Sequence, residues 1–360
     1  MSRVRSLTIS GYKSIRELKN FELGDLNVLI GANGAGKSNF INLFRLLNEM
    51  YEQQLQLYVQ LQGGPDSLLH FGRNTTERLH AEFYFARNGY KFDLVPTTDN
   101  RLIFEHEISW FGGVFYPGAS SASLGTGHVE AKLKEAKDKY SSYVRESVSN
   151  WRVYHFHDTS DTAKVKQPHP TNDNLRLKID AANLAAYIRM LKEKHEAEYQ
   201  RIVETIRLVM PFFDDFVHRS GDPKHIELEW TQKGRPDTPF KAHMLSDGSL
   251  RFICLATLLL QPIALLPHTI LIDEPELGLH PYAITVLADI FKQVAEDRQL
   301  IVSTQSVELV NELSPDDVIV VDQEQDASTF RRYTKDELAG WLDKYAMGEI
   351  WKRNILGGRP

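Results

Sequence analysis

Cysteine is almost absent from this chain: Cys254 is the only one in 360 residues. No disulfide frame or cysteine-built metal cage is available, and Cys254, inside the apolar run 252–260, reads as a small buried apolar residue. That run is the longest largely apolar stretch, and it falls short of the ~20 residues a membrane-spanning helix needs. A basic excess is missing too. Lys and Arg number 42 against 48 Asp and Glu, a formal net charge of −6, so no global field draws the chain onto nucleic acid and any such contact would be a local patch. No internal repeat is visible, and no sustained heptad run promises a coiled-coil arm. The first residues carry Arg3 and Arg5 but alternate polar with apolar, unlike a secretory leader, so the expectation is a cytoplasmic protein. The remaining composition, 42% apolar and 25% charged, is that of an ordinary globular protein of one large or two modest domains.

Near the N-terminus, residues 3–9 and 15–21 read as strands, and Leu26-Asn27-Val28-Leu29-Ile30 as a short buried one. The last runs straight into Gly31-Ala32-Asn33-Gly34-Ala35-Gly36-Lys37-Ser38, followed by a helix expected over 38–61 and ended by Gly63-Gly64-Pro65. Strand, G-x-x-x-x-G-K-[ST] and helix make a phosphate loop. Its backbone N–H groups turn inward onto phosphate oxygens, the helix N-terminus adds positive potential, Lys37 reaches the β- and γ-phosphates, and Ser38 holds Mg²⁺.

The middle of the chain says less. Residues 79–116 alternate and are rich in aromatics (Phe83, Tyr90, Phe92, Trp110, Phe115), with a hairpin signal at Asn88-Gly89, and read as an antiparallel β-layer. Residues 118–127 read as a Gly/Ser/Ala loop, 129–150 as a charged, solvated helix, and 180–210 as a helical region ended by Pro211. Residues 151–160 place Val153, His155 and His157 on one side of a strand. His155, His157 and Asp158 together invite a metal reading, but no second His/Asp cluster at suitable spacing appears. The expectation is a strand end that presents polar groups toward a nucleotide. Residues 233–239 read as a turn.

Toward the C-terminus, Leu245-Ser246-Asp247-Gly248-Ser249-Leu250-Arg251 opens an apolar helix. Alone it is a helix cap; its position, 209 residues after Lys37 (37 to 246) and 27 before Asp273 (246 to 273), makes it more. The buried run Thr269-Ile270-Leu271-Ile272 ends in Asp273-Glu274-Pro275, a Walker B pattern in which Asp273 reaches the Mg²⁺ shell and Glu274 polarises the attacking water. A further strand, 300–302, ends at Ser303-Thr304-Gln305-Ser306.

This set resembles the ABC-type ATPase superfamily and, within it, the stand-alone RecF/SMC/OLD-like predicted bacterial ATPases. Leu7-Thr8-Ile9-Ser10-Gly11-Tyr12-Lys13-Ser14, Tyr154-His155-Phe156-His157-Asp158-Thr159-Ser160 and the stretch 341–360 are similar to stretches of that group. The resemblance implies an α/β ATPase head with a mixed central sheet, an antiparallel β-layer, an inserted helical region and no long coiled coil. The expected divisions are an N-terminal lobe 1–117, an insertion 118–240 and a C-terminal lobe 241–360. It implies ATP and Mg²⁺ as cofactors, with nucleotide contacts from Asn33, Gly34, Ala35, Gly36, Lys37, Ser38 and Asn39, and with Ser246 and Gly248 supplied by a second copy in a homodimer. Ser38 and Asp273 fall to the metal; Lys37, Glu274 and Gln305 to catalysis. Gln305 stands where the family has a switch histidine; it can hydrogen-bond but not take up a proton near neutral pH, which implies slow hydrolysis. The Q-loop glutamine has only Gln167 as a candidate. No TOPRIM-like acidic cluster follows, so an effector nuclease would be a separate chain.

Two functional readings follow: an ATP-hydrolysing dimer acting with a nuclease or on DNA, in phage defence or repair, or a nucleotide-gated scaffold with little turnover. A membrane-transporter subunit is disfavoured by the long insert, and an AAA+ ring by the 236 residues between Lys37 and Asp273 (37 to 273) with a Ser-Gly signature in between. The C-terminal stretch 341–360 reads as packing onto its own domain, with partner docking as the sharper alternative.

Overall fold

A computed structural model describes residues 3–112, 120–219, 221 and 224–359. In chain order its elements are β1 (Ser6–Tyr12), β2 (Ile15–Glu22), β3 (Leu26–Ile30), α1 (Lys37–Tyr51), α2 (Leu55–Leu61), β4 (Leu79–Phe85), β5 (Asn88–Pro96), β6 (Leu102–Phe111), β7 (Ser120–Gly125), α3 (Lys139–Val148), β8 (Trp151–Tyr154), β9 (His169–Pro170), α4 (Leu184–Lys194), α5 (Glu196–Val209), β10 (Phe213–Phe216), β11 (His225–Ile226), β12 (Glu229–Gln232), β13 (Arg235–Lys241), α6 (Asp247–Leu260), β14 (Thr269–Asp273), α7 (Pro281–Asp297), β15 (Gln299–Ser303), α8 (Val307–Asn311), β16 (Val318–Glu324), β17 (Ala327–Arg332), α9 (Lys335–Leu342) and α10 (Met347–Lys352).

Two six-stranded sheets carry the fold. The central one has the order β17-β16-β3-β15-β14-β8, and the other, β2-β1-β4-β5-β6-β7, is antiparallel throughout. In the central sheet every neighbouring pair is parallel except β16 with the edge strand β17. Parallel strands covered on both faces must be apolar on both. Leu26, Val28 and Ile30 of β3 pack into one core, with Ile270, Ile272, Leu300, Val302 and the helices α4–α7. Leu29, Leu271, Ile301 and Ile319 point to the other, shared with α1 and the antiparallel sheet. There Trp151, fully buried, lies 5.2 Å from Phe44 and 5.6 Å from both Phe83 and Phe85 (ring centroids), joining the two sheets through α1.

Several local expectations need correction. The helix over 38–61 is two helices, because Gln53 takes a left-handed φ of 58° between α1 and α2. The 118–127 loop holds β7, an edge strand paired with β6. The helix over 129–150 begins only at Lys139, where the Asp138 carboxylate accepts from Ser141 N–H at 2.8 Å. Ahead of it the chain wraps the fully buried Glu107, whose carboxylate accepts from Tyr90 O–H and from the N–H groups of Lys132 and Leu133. The hairpin turns at Ala86-Arg87, not Asn88-Gly89, and the 151–160 strand stops at Tyr154. The 233–239 turn is shorter, for β13 starts at Arg235. Phe115 lies outside the described residues. The C-terminal stretch packs on its own domain: Ile350 and Trp351 are fully buried, and Trp351 Nε1–H donates to Gly358 O at 2.5 Å. The longest helix, α7, has 17 residues, so among the described residues no coiled-coil arm exists.

Candidate functional site

The parallel strands end together. Their register sets Asp273 beside Ser303, Ser303 beside Leu29, and Ile272 beside Tyr154. Residues following these ends, 31–38, 155–158, 273–276 and 303–306, therefore collect along one edge of the sheet, where open α/β sheets bind ligands.

The Walker A loop is braced from two distant segments. Ser328 Oγ donates to Ala35 O at 2.5 Å and accepts from Ser14 Oγ at 2.7 Å, and Asn39 Nδ2 donates to Ser14 Oγ at 2.7 Å. Gly36, with φ 117°, caps α1, and a Cβ there would come within 2.0 Å of Ser328 Oγ. The glycine is thus required by conformation and by space. Asn33, Gly34 and Ser38 stay exposed, while Ala35, Gly36 and Lys37 are buried. Lys37 Nζ arches back over its own loop, donating to Gly31 O at 2.6 Å and Ala32 O at 3.0 Å. Burial lowers its pKa, and the nearby Glu274, Asp273 and Glu276 pull it back up.

Across from the lysine sits the acidic group. Asp273 accepts a hydrogen bond from Ser303 Oγ. Glu274 follows with φ 44°, a left-handed conformation costly for a residue with a Cβ. Its N–H donates to Ser303 O at 2.9 Å, and its carboxylate accepts from Gln305 Nε2. Gln305 N–H donates to Glu276 Oε1 at 2.9 Å. Glu276 is 8% exposed and its pKa is raised, first by burial and last by the like charge of Glu274, with the Thr304 and Gln305 bonds opposing. Its Oε2 is buried without a partner. Glu276 thus joins Glu274 and Asp273 as the three carboxylates that act on Lys37, a concentration of oxygen donors that a hard cation and a cationic lysine would neutralise. The donor set fits Mg²⁺.

Sequence reasoning missed the bracing pair Ser14 and Ser328, and Glu276. It also missed what Arg251 does. Only 8% exposed, Arg251 donates Nε–H to Phe156 O at 2.9 Å, Nη2–H to His157 O at 3.1 Å, and Nη1–H to Leu277 O. It thereby ties the signature helix α6 to two of the strand-end segments. Ser246 caps α6, accepting from Ser249 N–H at 3.2 Å, and is exposed. Gly248 is pressed against residue 278, so that a Cβ would lie 2.0 Å from Gly278 O. No hydrogen bond among the described residues joins Ser246 or Gly248 to residues 31–39. Gln167 is exposed, its amide donating to Asp161 O at 3.0 Å; the segment following β8 carries His155 and His157. Asp158 accepts from the hydroxyl and N–H of Ser160 and stays with its own turn. Burial lowers the pKa of His155.

Comparison with known proteins agrees with this geometry. Residues 26–311 match the model of the family described as "AAA domain, putative AbiEii toxin, Type IV TA system". The chain belongs to that family. Two solved structures share its fold. An Smc head bound to the C-winged helix domain of ScpA has a TM-score of 0.64 at 15% identity, covering 94% of this chain and 99% of that one. An Smc head domain with an extended coiled coil, bound to the C-terminal domain of ScpA from Pyrococcus furiosus, has a TM-score of 0.56 at 15% identity, covering 96% and 99%. A curated relative, "Urease accessory protein 2" of Cryptococcus neoformans var. grubii serotype A (strain H99), is 29% identical over 208 residues. That alignment takes in 56% of this chain, which spans only 15% of the relative's length. Family and fold make the chain an ATP-binding ATPase with an ABC-type, SMC-head-like architecture. Among the described residues, no helix is long and apolar enough to cross a membrane.

Proposed function

We propose that two copies of this chain close on two ATP molecules, each nucleotide held between the Walker A loop of one and Ser246 and Gly248 of the other. The N–H groups of 33–36 wrap the phosphates, Lys37 bonds the β- and γ-phosphates, and Asn39 supports the loop. Ser38 and Asp273 hold Mg²⁺, which when bound screens the phosphate charge. Glu274 orients the attacking water and Gln305 holds Glu274. Residues 1–117 and 241–360 supply most of the two lobes of the head, but 118–240 is not a separate insertion, because its strands β7 and β8 complete the two sheets. The observation that carries this reading is the convergence of the 31–38, 273–276 and 303–306 segments on one sheet edge, while Ser246 stands exposed with no partner beyond its own helix start. The exposed apolar side chains Met244, Leu277 and Tyr282 lie in the same two segments as Ser246 and Gly278, and support a surface that a second chain covers. A hydroxyl and free N–H groups at a helix start favour the γ-phosphate, which ADP lacks, so ATP joins the copies and hydrolysis loosens them.

The dimer acts in the cytoplasm on a separate effector, such as a TOPRIM-type nuclease, or on DNA, in phage defence or repair. The test is light scattering of the Glu274→Gln protein. ATP should convert monomer to dimer, ADP should not, and Ser246→Arg should block the change while leaving ATP binding intact. An ATP-bound E274Q protein that stays monomeric over a wide concentration range refutes the arrangement. The second reading, a nucleotide-gated scaffold with little turnover, is favoured by the Gln305–Glu274 bond, in which the switch position offers an amide and no proton acceptor. Phosphate release no faster than that of E274Q would select it.

A further inference from the structure

The fold brings together residues that are 118 apart in sequence (155 to 273). Ligand atoms of His155, His157 and Asp273 all lie within 4.8 Å of one another, on the adjoining ends of β8 and β14. From these we infer that His155, His157 and Asp273 form a divalent-cation site that prefers a first-row transition ion (Mn²⁺, Co²⁺ or Zn²⁺) to Mg²⁺.

Three observations carry it besides proximity. His155 Nε2 is buried and has no hydrogen-bond partner, an expensive state for an imidazole nitrogen unless something takes its lone pair. The backbone on both sides of the pair is fixed: His155 N–H donates to Ile179 O at 2.9 Å, and the carbonyls of Phe156 and His157 are both held by Arg251. The third donor is oriented in turn, for Ser303 Oγ donates to the Asp273 carboxylate. An outer hydrogen bond on the ligand group itself, as Ser303 makes to Asp273, is what metal sites use to orient a donor, while the main-chain bonds fix the two histidines' place in the loop. Two imidazoles and one carboxylate suit borderline transition ions, whereas Mg²⁺ favours an all-oxygen octahedron. Three protein donors leave coordination positions open for water or a phosphate oxygen. His157 is exposed, so the ion has a route in. The site shares Asp273 with the proposed Mg²⁺ site, but its three donors come from one chain and are tested without ATP, so its failure and that of the nucleotide sandwich are distinguishable.

The experiment uses the full chain, stripped with chelator and free of nucleotide, titrated with Co²⁺ and followed by calorimetry and by the visible absorption of the bound ion. One Co²⁺ per chain is expected, with imidazole-type bands that Zn²⁺ abolishes and Mg²⁺ in large excess does not. His157→Gln, at the exposed position, should weaken binding by at least about 10–100-fold, the loss typical of even outer-shell partners. His155→Gln should do the same, and Asp158→Asn should leave binding unchanged. Thermal melts establish that each variant is folded; if His155→Gln is not, His157→Gln alone decides. No stoichiometric Co²⁺ binding, undiminished binding in His157→Gln, or ready displacement by Mg²⁺ would each overturn the assignment.

Discussion

Replacing Arg251 by methionine removes three hydrogen bonds to main-chain carbonyls, of Phe156, His157 and Leu277. Bonds from a charged donor contribute about 1.5–3 kcal/mol each, a gross loss of roughly 5–9 kcal/mol. Against this stands the cost of burying the guanidinium, the first cause of its lowered pKa, which methionine escapes. That relief is several kcal/mol. The net loss is about 2–4 kcal/mol, which for an unfolding entropy of ~2.1 cal/mol/K per residue lowers Tm by about 3–5 °C. Arg251→Lys keeps the charge but offers a point donor on a flexible stem, which cannot reach three carbonyls in a fork. It should recover less than half the loss. Thermal unfolding by circular dichroism of the three proteins decides the matter. A methionine variant within about 1 °C of the parent, or a lysine variant equal to it, would show that the guanidinium does not clamp these segments.

Gly248→Ala drives a Cβ onto Gly278 O, both backbone positions with little room to give; a loss of about 1–3 kcal/mol is expected even in monomer without nucleotide, read by urea unfolding. Trp351→Ala empties a fully buried site and breaks the bond to Gly358 O, so a loss of about 3–5 kcal/mol in the same assay is expected. His218, beside Tyr199 at 3.1 Å, is pushed down by burial to about 4, with Lys192 adding to this and Asp215 opposing. The fold holds the imidazole neutral while the unfolded chain takes a proton near 6.5, so this contribution is complete above about 6.5 and is lost as pH falls toward about 4. Urea midpoints measured across that window should therefore fall less steeply in His218→Gln than in the parent.

The parts of the fold legible in the sequence are those whose residues answer to near neighbours. The strands β3 and β14 are buried on both faces, so each reads as an unbroken apolar run, and the glycines and lysine after β3 are bound by chain geometry to follow it. What escaped reading depends on partners far along the chain. Nothing around Ser328 announces that it braces a loop 293 residues earlier. His155 and His157 looked like an incomplete set because Asp273 joins them only when β8 docks on β14. Gly89 looked like a turn residue, yet it is needed in β5 because the Trp110 ring lies where a side chain would stand. The break at Gln53 carries no glycine or proline to mark it; nearby, the carboxylate of Glu130 accepts from the N–H groups of Leu55 and Gln56 and so caps the start of α2.

The left-handed backbone of Glu274 follows from how tightly its loop is tied. A side-chain-bearing residue in this region costs about 1–3 kcal/mol and persists only where its surroundings over-determine it. Here they do. Glu274 N–H is bonded to Ser303 O, its carboxylate to Gln305, and the Gln305 N–H to Glu276. Leu279 N–H closes back onto Glu276 O at 3.0 Å, and Leu277 O is taken by Arg251 from the signature helix. Each bond holds the loop at a different residue, so relaxing Glu274 into an ordinary conformation would break several at once. The same bonds form a continuous physical connection from α6, through Leu277 and Glu276, to Gln305 and Glu274. The loop that carries Glu274 is therefore held from α6 on one side and from the 303–305 segment on the other, which is why its one strained residue keeps its conformation.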